Sequence, residues 1–274
     1  MFKIRIQRLN NKNRSGDCRM DIFLLIGIIM GFISVVVGMI VKGADVLVLL
    51  NPAAIIIIGA GTLAALINSF PSDDIKRLPK IFGVLFKSKS EESSIELVDT
   101  IMSLAQKARQ EGILALETTV DALEPSFLKN GMEMVVDGVP VEQIEETLNN
   151  EISALEERHR VGAAMFKTAG SSAPTLGVLG AVIGLIGALG NLNDVDALGH
   201  MISAAFVATL YGIFFGYVMF IPFGNRLNRK SEAEVQNMLI AVEGIISIQA
   251  GLNPNTIERK LVGMLDPKDQ EARK

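Results

Sequence analysis

Tryptophan is absent from the sequence, cysteine occurs once and histidine twice. A lone Cys18 excludes an intramolecular disulfide and any cysteine-based metal cluster. His159 and His200 stand too far apart to offer ligand spacing. Without tryptophan, an aromatic belt at a membrane interface would fall to phenylalanine, Tyr211 and Tyr217. The net charge of −4 gives no reason to expect nucleic acid. No nucleophile–base pairing stands out, and GVLGAVIGLIG is a packing strip in an apolar run rather than a dinucleotide fingerprint. Neither an enzyme nor a bound cofactor or metal is expected.

The most informative absence is charge. Asp, Glu, Lys and Arg are missing from four windows, 22–41, 46–72, 168–193 and 197–225. Each holds an apolar run of about 20 residues, enough to cross a hydrocarbon core of roughly 30 Å. Helices buried in a soluble core rarely stay uncharged on every face for that length. With 49% hydrophobic residues and a mean hydropathy of +0.38, the chain reads as an all-α polytopic membrane protein. Four transmembrane helices and a helical cytoplasmic domain between helices 2 and 3 are expected.

Basic residues set the expected orientation. Residues 1–19 hold six, residues 73–167 eleven and the tail after Phe223 eight, which leaves only Lys42 for the two short connections between spans. The first three segments are therefore assigned to the cytoplasm, while 42–51 and 191–199 face outward. Residues 1–19 and the apolar run behind them resemble a signal peptide, but no clear small-residue cleavage site precedes Lys42. An uncleaved first helix is expected, and Met20 also fits as a start. The layout is then a basic extension (1–19), two spans (20–71), a cytoplasmic helical domain (72–167), two further spans (168–223) and a cytoplasmic tail (224–274). Both termini lie on the cytoplasmic side of the cell's inner membrane.

Within the loop, Ile75, Leu78, Ile81, Phe82, Leu85 and Phe86 form an apolar face beside Lys76, Arg77, Lys80, Lys87 and Lys89. That pattern suits a helix lying on an anionic lipid surface. Ser93-x-x-Glu96 reads as a capping box for a helix to Gln110, with Gly112 as its stop. From Val141 a helix with Ile144, Leu148, Ile152 and Leu155 on one stripe runs towards the third span. The tail carries a stripe from Val235 to Ile246, stopped at Gly251-Leu-Asn-Pro254, and a short last helix around Ile257, Leu261 and Leu265. The loop's 18 carboxylates against 11 basic residues fit either a solvated surface or a docking surface.

Inside the spans, Gly177, Gly180, Gly184 and Gly187 make one bare strip, and Gly27-x-x-x-Gly31 and Gly212-x-x-x-Gly216 repeat the spacing. Such strips let backbones approach in lipid, within one bundle or between subunits. No span carries a carboxylate, lysine or arginine at its centre, only hydroxyls such as Ser34, Thr62, Thr175, Ser203 and Thr209. A protein that moves protons through a bilayer places an ionisable group there. If ions pass, another subunit must carry that group. Pro174 enters the third span and Pro222 closes the fourth. Punctuation is the plainer reading of both, since a first-turn proline costs little, and a hinge is the alternative.

The segments MDIFLLIGIIMGFISVVVGM, NPAAIIIIGAGTLAALINSFP, ARQEGILALE, APTLGVLGAVIGL, ATLYG and GLNPNTIERKL occur in that order. From Met20 to the last short helix the chain resembles the MotA/PomA family of flagellar motor stator subunits. The resemblance implies a pentamer around a dimer of a single-span MotB subunit that carries the ion-binding aspartate. It places Pro174 and Thr209 beside that aspartate, makes Pro222 the second functional proline, and gives Arg109 and Glu117 the contact with FliG on the rotor. Sodium-using members have threonine where this chain has Ala181, so protons are the expected ion. An ExbB/TolQ-like subunit, with three spans, is the alternative. A self-sufficient channel would need the ionisable residues that the spans lack.

Overall fold

A computed structural model describes residues 19–88, 94–124, 126–190, 192–271 and 273. The first helix, α1 (Ile22–Val41), coincides end to end with the first charge-free window, and Asp21 caps it by accepting from the Leu24 amide at 3.3 Å. Asn51 caps α2 (Pro52–Ser69), whose first position takes proline without losing a needed donor. Then follow α3 (Leu78–Phe86), α4 (Ser94–Glu111), α5 (Phe127–Val136), α6 (Val141–Leu189), α7 (Val195–Ile213), α8 (Ile221–Gln249) and α9 (Pro254–Gly263). Short helical turns fill several of the connections. One two-residue antiparallel pairing joins Arg19–Met20 to Lys87–Ser88, a minor addition to an otherwise helical chain.

Among the described residues, four helices are long and apolar enough to cross a membrane: Ile22–Val41, Val46–Ser69, Val141–Leu189 and Val195–Gln249. The last two helices extend well beyond the charge-free windows. Pro174 does not stand in the first turn of a helix, because α6 runs unbroken for 49 residues with that proline inside it. Proline removes the bond to the carbonyl four residues back, here Gly170. That carbonyl instead faces the backbone of Gly216, where an added Cβ would lie 2.7 Å from it. Nor does the helix end at Pro222. A π-helical segment, Phe214–Phe220, joins α7 to α8, with the Ile221 amide donating to the Gly216 carbonyl five residues back. The wider turn makes room for a proline in mid-helix.

The chain divides into two compact units. One takes Arg160–Asn228 and the described residues before Lys89; the other takes the described residues of 94–159 and 229–273. In the first, Leu24, Leu85, Ala163, Phe166, Phe223 and Leu227 form one core and Leu66, Met165 and Ala169 another. Ile81 and Phe82 of α3 pack on these cores, and Phe82 meets Phe166 edge-on at 4.8 Å between centroids. The apolar face expected to lie on lipid is thus largely spent on the protein's own spans. An amphipathic stripe reads the same in the sequence whichever apolar partner covers it. Asp21 ties three elements of this unit together: besides capping α1 it accepts from Arg226 Nε at 2.8 Å, and its amide donates to the Phe86 carbonyl at 3.0 Å.

In the second unit, Ile101 and Leu104 of α4, Met132 of α5, Ile144 and Leu148 of α6, Ile245 of α8 and Leu261 of α9 are fully buried in one core. Loop and tail therefore fold together. Gly112 ends α4 with φ +87° and Gly251 follows α8 with φ +67°, conformations that favour glycine. Asn253 caps α9 by accepting from the Asn255 amide at 3.0 Å. The capping serine expected at position 93 lies outside the described residues.

Candidate ion-pathway site

The spans of the first unit are built around a seam between α6 and the helix that faces it. A Cβ on Gly212 would lie 2.6 Å from the Ala173 carbonyl and 2.9 Å from the Gly177 Cα, while one on Gly177 would lie 2.9 Å from the Ala208 carbonyl. Further along, Gly184 meets Ala205 at 2.9 Å and Gly180 meets Ala208 at 3.0 Å. In the other direction, Gly224 would meet the Ala163 carbonyl at 2.9 Å. The glycine strip of the third span is therefore consumed within the chain, against the fourth span, which decides between the two uses left open by spacing. In α1 the pair divides: Gly31 faces Val218 and Phe214, and nothing lies within 4 Å of a Cβ on Gly27.

Pro174 sits in this seam, half-buried, with its ring carbons 2.8 Å from a Cβ built on Gly216. Thr209 lies about one turn along, its Cα 3.3 Å from a Cβ on Gly177. Its hydroxyl donates to the Ala205 carbonyl at 3.4 Å, a long and therefore weak bond. Ala181 is half-buried on α6 between Gly180 and Gly184. Pro222 is exposed at the start of α8, directly after the π-helical segment. The structure thus gathers Pro174, Thr209 and Ala181 along one seam and leaves Pro222 at its far end. Gly170 and Gly216, which let the main chains meet beside Pro174, were not separated from the other small residues by sequence reasoning. A glycine four residues before a proline was the available signal.

Chemically the seam can position but cannot titrate. Among the described residues of the four charge-free windows there is no carboxylate, and the one histidine is His200, in the first two turns of α7, with Asp196 just before the window. What the seam offers is the Thr209 hydroxyl, crowded carbonyls and a proline-interrupted ladder. Beyond it, α6 exposes a broad apolar face, including Val178, Val182, Leu185 and Leu189.

Arg109 and Glu117 belong to the second unit. Arg109 is exposed in the last turn of α4, and Glu117 is exposed at the start of the short helix Glu117–Asp121. Gly112 and the 3-10 turn Ile113–Leu116 separate them, as the sequence led one to expect.

Residues 119–239 match the MotA/TolQ/ExbB proton channel family, and residues 25–112 match the motility protein A N-terminal family. The chain is similar to motility protein A of Bacillus subtilis, 50% identical over 251 residues, which cover 92% of this chain and 93% of that protein. It is also similar to chemotaxis protein PomA of Vibrio alginolyticus, 30% identical over 90% of this chain and 96% of the relative. Among solved structures, it resembles a chain of the flagellar MotAB stator complex from Bacillus subtilis, with a TM-score of 0.85, 50% identity and coverage of 90% of this chain and 97% of that one. The structure of C. jejuni MotAB matches with the same TM-score at 33% identity and the same coverage.

Proposed function

Because this chain belongs to the MotA/PomA family of flagellar motor stator subunits, we propose that it is one half of an ion-driven motor whose titrating group resides on a second subunit. The observation that carries this reading is the charge-free interior of its four spans. A proton cannot be relayed through such a bundle without a carboxylate supplied from outside the chain. The partner is a MotB-like subunit with a single span and an aspartate, received by a homo-oligomer, a pentamer in the family, in the inner membrane. Relatives that match over nine-tenths of the chain favour this over an ExbB/TolQ-like role.

In this reading the partner aspartate approaches Pro174 and Thr209. Burial in hydrocarbon disfavours its charged form, so it takes up a proton from outside and releases it towards the cytoplasm. Each charge moved gains about 2.3 kcal/mol per 100 mV. The Thr209 hydroxyl, weakly held at 3.4 Å, can exchange its bond to the Ala205 carbonyl for one to the charged carboxylate. Pro174 leaves the Gly170 carbonyl without its helical partner, so the seam can adjust at that depth. Ala181 offers no hydroxyl to a sodium ion, which favours protons. Arg109 and Glu117 present opposite charges to FliG on the rotor, and the exposed apolar faces of the spans meet lipid, neighbouring subunits or the partner helix.

Proton flux into vesicles tests the proposal. The chain alone should conduct nothing; the chain co-expressed with the partner should conduct; and the partner with its aspartate changed to asparagine should be silent. Flux through the chain by itself would overturn it.

A further inference from the structure

The second unit keeps its large apolar side chains out of water. Among its described residues, the exceptions are Leu239, at 37% exposure, and Leu114, at 76%. A lone exposed leucine is common on protein surfaces and by itself means little. Leu114 is set apart by how it is held. It lies in the 3-10 turn Ile113–Leu116, where Ile113 packs against the core and Leu116 is fully buried in it. Gly112, at φ +87°, bends the chain into this turn. Its amide donates to the Ala108 carbonyl at 2.9 Å, and its carbonyl accepts from the Ala115 amide at 3.3 Å. On the far side, Lys107 Nζ donates to Thr119 Oγ1 at 2.6 Å and ties α4 to the short helix Glu117–Asp121. The turn is pinned at both ends, and Ile113 and Leu116 already occupy the space beneath it. Leu114 is therefore presented outward by a braced backbone.

Its surroundings narrow what meets it. Leu114 stands in the chain between Arg109 and Glu117, both exposed, the two charges assigned above to the rotor. Exposed charges on their own contribute little, because water and salt screen them. Protein interfaces gain most from an apolar centre that excludes water, with polar groups around its rim. A leucine between two charges of opposite sign supplies that centre. A lipid surface is a poor fit, since Glu111 and Glu117 outnumber Arg109 over residues 109–117 and an anionic leaflet attracts basic segments instead.

We propose that Leu114 is the apolar anchor of the rotor contact, seated in a hydrophobic depression of the rotor protein with Arg109 and Glu117 on the rim. The proposal rests on the rotor reading of those two charges and adds the component they lack. Because the turn is braced before contact, little ordering is lost when the side chain is buried.

The full chain, purified in detergent with its partner subunit, is titrated with the rotor protein FliG at low and at high salt. Leu114→Ser should weaken binding about tenfold or more, the difference between a buried and an exposed leucine. Leu114→Met, which keeps the volume and the apolar character, should retain the larger part of the affinity. Salt separates the anchor from its rim: Leu114→Ser should leave the salt dependence as it was, whereas Arg109→Gln with Glu117→Gln should flatten it. The melting temperature of Leu114→Ser should not move, because the side chain is already exposed. Equal affinities of Leu114→Ser and the unsubstituted chain would overturn the anchor and leave the rotor reading standing. Failure of the unsubstituted chain to bind FliG at either salt would overturn both. A smaller oligomer in Leu114→Ser, seen by mass measurement, would assign the side chain to a contact between copies and overturn the proposal.

Discussion

Two glycines meet their neighbours at nearly equal distance but in different material. A Cβ on Gly131, in the second unit, would lie 2.4 Å from Ile245 Cδ1; one on Gly212, in the spans, would lie 2.6 Å from the Ala173 carbonyl. The first neighbour is the end of a side chain that can rotate aside. The second is the main chain of a helix. In the second unit large buried side chains such as Leu148, Met132 and Ile245 hold the helices apart and water drives them together. In the spans, lipid tails are as apolar as leucine, so association rests on close backbone contact between small residues. One chain thus uses two packing rules, and each predicts its own weak points.

The largest effect is expected where a side chain carries the packing. Leu148→Ala, fully buried in the second unit, should destabilise by about 2–5 kcal/mol. Thermal melting of the purified chain should show it, and loss smaller than about 1 kcal/mol would mean that the core is looser than its burial implies. Next comes the backbone seam: Gly212→Ala inserts one methyl against the main chain and should cost about 1–3 kcal/mol. Gly131→Ala, by contrast, should stay near neutral, because the helix gains about 1 kcal/mol in propensity while Ile245 shifts. Equal melting temperatures for these two variants would break the distinction between the units.

Smaller still are effects that leave the fold alone. Pro174→Ala and Thr209→Val should keep expression and melting intact while slowing swimming, measured as rotation speed of tethered cells; unchanged speed in both would reduce them to packing. The smallest concerns the second unit's surface. Exposed charges interact by under about 1 kcal/mol, so Arg109→Gln or Glu117→Gln alone should trim torque without ending motility. Charge reversal should do more, and a reversal on the rotor should restore it. If Arg109→Glu prevented membrane assembly, the residue would be structural.

What the sequence reveals follows the same division. Charge-free windows located the spans because solvation alone forbids charge there, and the first agrees with α1 to the residue. The stripes of Ile144 and Leu148 and of Val242 and Ile245 announced a core because burial in water selects large apolar residues at helical spacing. The glycine strip announced close packing but not against what, since Gly177 finds Gly212 far away in the chain. Pro174 followed a local rule that the tertiary contact with Gly216 overrode. The roles proposed for Pro174, Thr209, Arg109 and Glu117 came through family resemblance rather than through any pattern of their own. Thr62 Oγ1, buried without a hydrogen-bond partner among the described residues, was invisible beforehand, because nothing in a sequence distinguishes a threonine that bonds back to its helix from one that does not.

The mutual contact of Gly177 and Gly212 also has a genetic consequence. Each would place a new Cβ within about 3 Å of the other's Cα, 2.9 Å in one direction and 3.1 Å in the other. Damage at most packed positions can be repaired by a smaller residue opposite. Here the residue opposite is already the smallest there is. A screen for revertants of Gly212→Ala should return true reversion, or changes elsewhere that let the two helices drift apart, and none at position 177.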